Sequence, residues 1–133
     1  MFSTEGREMA DLSGNIKQVI DGEPVALFMK GTPEMAMCGN SMRALEALRR
    51  AGAPVSAVNI LPDPAIREEL SAQSGWPTIP QIFVGGELIG GADIVEELEE
   101  SGDLERTLEE KLGSGYRDTR EEKTLAVTSF AIP

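Results

Sequence analysis

Histidine is absent from all 133 residues. Its absence removes imidazole metal ligands, Ser–His and Cys–His triads, and an imidazole general base. Cysteine occurs once, at Cys38, so no disulfide can close within the chain, and any thiol chemistry recruits its second sulfur from outside. Basic residues number 12 against 23 acidic ones, a net charge of −11. That balance argues against wrapping a nucleic-acid phosphate backbone, which needs a basic face, and against docking on an anionic membrane. No apolar run approaches the roughly 20 residues that span a bilayer. The start, MFSTEGREMADLSGN, lacks the basic opening and apolar run of a secretory signal, and its acidic residues argue against a transit peptide. The expected compartment is the cytoplasm. Met9 offers a second candidate start.

What remains is a chain of one-domain length with 41% apolar and 26% charged residues, enough to build a core and keep it soluble. Residues 1–11 read as a flexible, patternless lead. Leu12, Ile16, Val19 and Ile20 fall on one helical face, stopped by Gly22 and Pro24. Val25 to Met29 reads as a buried strand, broken by Lys30-Gly31-Thr32-Pro33. After Cys38 a second helix carries Met42, Leu45 and Leu48, and Arg49-Arg50-Ala51-Gly52 supplies a basic last turn and a left-handed stop. Val55 to Ile60 is a second strand. Asp63-Pro64 opens a third helix with an acceptor cap and a first-turn proline, and Ile66 and Leu70 share its face. Residues 81–84 and 87–89 flank Gly85-Gly86 as a hairpin. Asp93 and Glu96 have capping-box-like spacing ahead of a helix through Leu98, and Asp103 can cap a last helix with Leu104, Leu108 and Leu112. Gly113-Ser114-Gly115 reads as a linker. The tail, 113–133, has charges first and then Leu125-Ala126-Val127, and it is either disordered or docked as an extra strand.

A strand–helix–strand unit pairs parallel with a right-handed crossover, and the later hairpin adds antiparallel strands. The predicted fold is α/β, a four-stranded mixed sheet flanked by helices. This is the thioredoxin-like arrangement, with Cys38 where the first strand gives way to its helix.

At a helix start the free amides favour an anion, hence a thiolate over a thiol. Lys30, at the end of the preceding strand, adds positive charge. Thr78-Ile79-Pro80 is the second feature. A cis Ile79–Pro80 bond would turn the backbone of Ile79 outward, open to an extended peptide; a plain turn marker is the other reading. The third feature is Gly90-Gly91-Ala92-Asp93, where Asp93 is an N-cap, an ammonium ligand, or both, beside amides that can hold a carboxylate. Arg67 is either a solvated helix residue or, with Lys30, a clamp for a second carboxylate. A thiolate, a peptide edge, two cations and a carboxylate beside amides suit a small peptide with a thiol, two carboxylates and an amine. Glutathione is such a peptide. Trp76 lies beside this region, and packing is its simpler role.

These residues carry a resemblance. Phe28 to Pro33 followed after four residues by Cys38-Gly39-Asn40-Ser41, then Trp76 to Gln81, then Gly90 to Ile94, together resemble the three signatures of monothiol glutaredoxins of the CGFS type, over roughly residues 12–112. The resemblance implies a thioredoxin fold with a glutathione site. It makes Cys38 the active thiol and cluster ligand. Lys30 and Arg67 would hold the glycine carboxylate of glutathione. Ile79, before the cis-proline position Pro80, would pair with its backbone, and Ala92 and Asp93 would hold its γ-glutamyl end. It also implies a [2Fe–2S] cluster bridged between two subunits with two glutathiones, transfer to apo iron–sulfur proteins, and a BolA-family partner. Asn40 departs from the family's Phe, setting a polar amide beside the thiolate. Ala92 stands where many members have a second Cys. The loop Met35-Ala36-Met37 is more apolar than the usual lysine-bearing one and suits contact with a partner.

Three functions are weighed on these residues. One Cys per chain ligates a two-iron cluster only if three thiolates come from elsewhere, which a dimer with two glutathiones provides. Cluster binding and transfer, serving iron–sulfur assembly and redox homeostasis, is the preferred reading. The alternative is a weak glutathione-dependent monothiol oxidoreductase that removes glutathione from protein thiols. Last is an adaptor with a silent pocket whose acidic C-terminal helix or tail binds a partner, although the Glu-rich run 96–110 usually is only a solvated face.

Overall fold

In the computed structural model, which describes residues 4–128, the first strand is apolar throughout and its two faces divide the core into two clusters, one on each side of the sheet. Helix α1 spans Thr4–Gly22, strand β1 Val25–Met29, α2 Gly39–Arg50 and β2 Val55–Asn59. Then come α3 (Pro64–Ser74), β3 (Gln81–Val84), β4 (Glu87–Gly90), α4 (Ala92–Ser101) and α5 (Asp103–Leu112). A 3-10 turn at Tyr116–Thr119 leads to β5 (Glu122–Thr124). Helix α1 begins at Thr4, so the stretch read as a patternless lead is helical from there to residue 11. Residues 1–3 of that lead and 129–133 of the tail lie outside the described residues.

The sheet runs β4-β3-β1-β2-β5, five strands where four are expected. β1 and β2 pair in parallel, and β3 and β4 are antiparallel, as the element order predicts. The correction is β5, parallel to β2, with Val55 facing Glu122 and Ala57 facing Thr124. An edge strand leaves a row of unpaired N–H and C=O groups. The tail satisfies this edge with three exposed polar residues that no hydrophobic periodicity announces. Leu125-Ala126-Val127 follows the strand rather than forming it. The N–H of Leu125 donates to Ala57 C=O at 2.8 Å, Val127 is buried, and Asn15 Nδ2 donates to its carbonyl at 3.0 Å.

Successive strand residues point to opposite faces. Val25, Leu27 and Met29 therefore join Leu45 and Leu48 of α2, Val95 of α4 and Leu104 and Leu108 of α5. Ala26 and Phe28 meet Ile16 and Ile20 of α1 and Ile66 and Leu70 of α3. Phe28 and Phe83 meet edge to face, centroids 5.7 Å apart, an arrangement the ring quadrupoles favour. Asp63 caps α3 as predicted, accepting from Ala65 N–H at 2.9 Å, with Pro64 in the first turn. The hairpin turn has φ of 59° at Gly85 and 84° at Gly86. A two-residue turn matching strand twist requires such positive values, and only glycine takes both without steric cost. No helix among the described residues is long and apolar enough to cross a membrane.

Candidate functional site

β1 runs out at Met29, and the chain must turn before α2. Thr32 and Met35 exchange backbone hydrogen bonds of 3.1 and 3.0 Å, and Met37 N–H donates to Lys30 C=O at 2.9 Å. Gly31 N–H donates to Asn59 Oδ1 at 2.9 Å, tying this loop to the end of β2. Met35 and Met37 are left 69% and 63% exposed, as an apolar contact loop would be.

The loop delivers Cys38 to the N-cap of α2 in extended backbone, and its side chain caps nothing. The first amides of a helix have no partner within it and point outward. Cys38 is half-buried, and its thiol pKa is lowered. The backbone amide of Ser41 is the main cause. Burial opposes it, while the Ser41 hydroxyl, the Asn40 amide and the charge of Lys30 add to it. The two sources read from sequence are thus both present, with the helix amides ahead of Lys30. Ser41 is the residue that reading missed. It is fully buried, and its Oγ accepts from Lys30 N–H at 3.0 Å, which fixes the strand end against the helix start.

Beside the thiol lies a cleft of about 370 Å³. Thr78, Ile79 and Pro80 line one side, Gly91 to Ile94 the other, with Asn40 and Trp76 completing it. The Ile79–Pro80 bond is cis. Among the described residues, neither the N–H nor the C=O of Ile79 has a backbone partner, so this edge is open to an incoming chain. Ile79, Pro80, Ala92 and Asp93 are therefore brought together, with Asn40 linking their cleft to Cys38. Lys30 and Arg67 stand outside its lining. Arg67 is exposed and donates to Pro77 C=O at 3.4 Å, and neither cation has an ion pair among the described residues.

Two more residues escape a search for chemistry-bearing motifs. Gln81 is fully buried; its Nε2 donates to Trp76 C=O at 2.9 Å and Thr78 C=O at 3.2 Å, and its Oε1 accepts from Ser74 Oγ at 2.8 Å. It holds the cleft's proline-rich wall in place. A lone polar residue opening an otherwise apolar strand is the signal that could have found it. Arg43 is the other. Asp93 does not cap α4, whose N-cap is Gly91; it accepts from Arg43 at 2.9 Å, and Glu96 accepts from Arg43 as well. The capping-box reading fails because the helix starts at Ala92, one residue before Asp93, which puts Asp93 inside its first turn, and both carboxylates accept from a cation on the neighbouring helix. Likewise Gly102, not Asp103, is the N-cap of α5. Trp76, set aside as packing, lines the cleft, its Nε1 buried without a hydrogen-bond partner among the described residues.

Comparison with known proteins gives relatives for this chain and its fold. The glutaredoxin family model matches residues 25–89. The chain is 47% identical over 95 residues to glutaredoxin 4 of Haemophilus ducreyi, covering 71% of this chain and 89% of that protein. It is 48% identical over 99 residues to monothiol glutaredoxin-S11 of rice, covering 74% of this chain but only 20% of that much longer protein. A buckwheat glutaredoxin solved as a glutathione complex superposes with a TM-score of 0.68 at 26% identity, covering 82% of this chain and 96% of that one.

Proposed function

The chain belongs to the glutaredoxin family, and from that premise we propose that it is a monothiol glutaredoxin that binds glutathione and carries a [2Fe–2S] cluster to apo iron–sulfur proteins. The observation that carries this reading is the lone half-buried thiol, its pKa lowered by helix amides, beside a cleft with an open peptide edge.

In this reading glutathione lies along Ile79 and Pro80. Lys30 and Arg67 hold its glycine carboxylate, Ala92 and Asp93 hold its γ-glutamyl end, and its sulfur lies beside Cys38. The cluster is cargo, not a resident group. Among the described residues no three His, Cys, Asp or Glu side chains gather to hold a metal, so one chain offers Cys38 alone. That donor set fits a cluster shared by two copies with two glutathiones, four soft thiolates in all. Met35 and Met37 flank Cys38 on the exposed side and supply an apolar surface for a second copy or a BolA-family partner. The glutaredoxin domain of residues 12–112 is completed by the tail, whose Tyr116 and β5 pack onto it, and its compartment is the cytoplasm.

The test is anaerobic reconstitution with iron, sulfide and glutathione, followed by absorbance and by mass in solution. A coloured dimer that fails without glutathione and in Cys38→Ser supports the proposal. A colourless monomer overturns it.

Asn40 favours a second activity, because it puts a small polar amide on the cleft lining. Cys38 thiolate attacks the glutathione sulfur of a protein–glutathione disulfide, forming a Cys38–glutathione disulfide and releasing the protein thiolate. A second glutathione thiolate then attacks, releases glutathione disulfide and restores Cys38. Turnover on a glutathionylated protein substrate checks this, and its absence would discard it.

A further inference from the structure

Arg43 bridges two helices beside the cleft, and the reading above gives it no role. Its Nε donates to Glu96 Oε2 at 3.2 Å, and its Nη2 to Glu96 Oε1 at 2.6 Å and Asp93 Oδ1 at 2.9 Å. Its Nη1 donates to Asn40 Oδ1 at 3.0 Å. The two-armed grip on Glu96 is the anchor, since planar guanidinium and carboxylate match best that way. Glu96 is 29% exposed and its carboxyl is held below its ordinary pKa by this arginine. Asp93 is held by one arm only, is 87% exposed, and lines the cleft.

We propose that Arg43 is a positioning residue that sets how strongly Asp93 attracts a cation, so that this cleft distinguishes only weakly between γ-glutamyl thiols with and without a free α-ammonium. The inference rests on the glutathione reading. The guanidinium occupies one oxygen of Asp93 and offsets its charge, so an incoming ammonium must displace Arg43 from that oxygen or share the carboxylate with it. Asn40 is part of the same device. Its amide oxygen steadies Nη1 at the start of α2, and a phenylalanine there would offer no acceptor.

The test uses the full reduced chain at equilibrium with glutathione disulfide, or with the same disulfide N-acetylated on both amines. Cys38 thiolate attacks one sulfur, the Cys38 mixed disulfide forms, and the other half leaves as thiolate. Acid quenching and intact mass give both equilibrium constants. Their ratio cancels the reactivity of Cys38 and isolates the ammonium. Arg43→Met should raise the ratio of amine to acetyl form about two- to five-fold, the scale of an exposed ion pair. Glu96→Gln removes the anchor, turns the guanidinium toward Asp93, and should lower the ratio below that of the unmodified chain. Arg43→Lys keeps the charge and should restore most of the original ratio. Loss of structure cannot produce shifts of opposite sign. An unchanged ratio in Arg43→Met, or a shift in the same direction in both variants, overturns the proposal. Bis(2-hydroxyethyl) disulfide serves as reference. If the unmodified chain favours glutathione disulfide no more than this reference, the glutathione reading falls and takes the proposal with it. If it favours glutathione and only the ratio fails to respond, the role of Arg43 alone falls.

Discussion

The two ends of α2 are built for different purposes. At its N-terminal end the amides of Asn40 and Ser41 face Cys38, which makes no side-chain cap hydrogen bond. At its C-terminal end the helix is tied down by other parts of the chain. Gly52 turns at φ 77°, Ala53 N–H returns to Leu48 C=O at 3.0 Å, and the hydroxyl of buried Tyr116 donates to Ala51 C=O at 2.9 Å. Arg49 forks onto Glu122 of β5 at 2.6 and 2.8 Å, and Arg50 reaches Glu99 of α4 at 3.0 Å. The difference teaches how one helix is divided between function and stability. Donors left without an internal partner are available to a thiolate and a ligand. At the other end Tyr116 supplies a donor to Ala51 C=O, while Glu122 of β5 and Glu99 of α4 accept from Arg49 and Arg50, and these contacts fix the helix in place.

That division can be broken at either end. Tyr116→Ala, at the closed end, should cost about 3–5 kcal/mol, the range for emptying a buried aromatic site. A thermal or denaturant melt measures the loss, while the pH profile of Cys38 alkylation should stay where it is. If the profile moves too, the ends are not separable. Ser41→Ala, at the open end, should cost about 1–3 kcal/mol by stranding the Lys30 N–H. It should also raise the Cys38 pKa, seen as a slower alkylation near neutral pH. The linked stability has a definite sign. The folded thiol titrates below its ordinary value, so its contribution is full above that ordinary value and is lost as pH falls through the lowered one. Ser41→Ala should flatten this dependence.

Smaller effects sharpen the contrast. Lys30→Gln should raise the Cys38 pKa by less than Ser41→Ala does, since its charge is the weakest of the causes, and should leave the melt within about 0.5 kcal/mol. Glu122→Gln should cost at most about 1 kcal/mol because the Arg49 pair is partly exposed. Glu122 is held below the usual carboxylate range by Arg49, so the pair stabilises above that range and weakens as pH falls through the lowered pKa. The acid limb of the melting curve should be shallower in the variant.

Much of this was legible residue by residue. The α1 face of Leu12, Ile16, Val19 and Ile20 is buried, the Gly85-Gly86 hairpin forms, and the caps at Asp63 and Gly52 sit where their chemistry puts them. Each depends on neighbours a few positions away, and periodicity and capping report only such neighbours. Cys38 at a helix start was legible for the same reason, whereas local chemistry left Ile79–Pro80 open between a cis bond and a plain turn, and the structure has it cis. Arg43 was not, because its partners Asp93 and Glu96 lie fifty and more positions along the chain. The tail's docking as an extra strand was one of two open readings, but its place at Glu122 to Thr124 was not legible, because these exposed residues pair through backbone alone.

The sequence by itself determined the chemistry on offer: one thiol, no imidazole, an acidic surface, and a strand–helix order that turns Cys38 toward a helix's positive end. Only the tertiary structure decided which groups share that site. The packing of α4 against α2 aims Arg43 at Asp93, the β2 edge recruits the tail, and buried Gln81 holds the cleft wall. The physical reason is that ion pairs and strand edges are satisfied in space, by whichever partner the packed layers bring within reach.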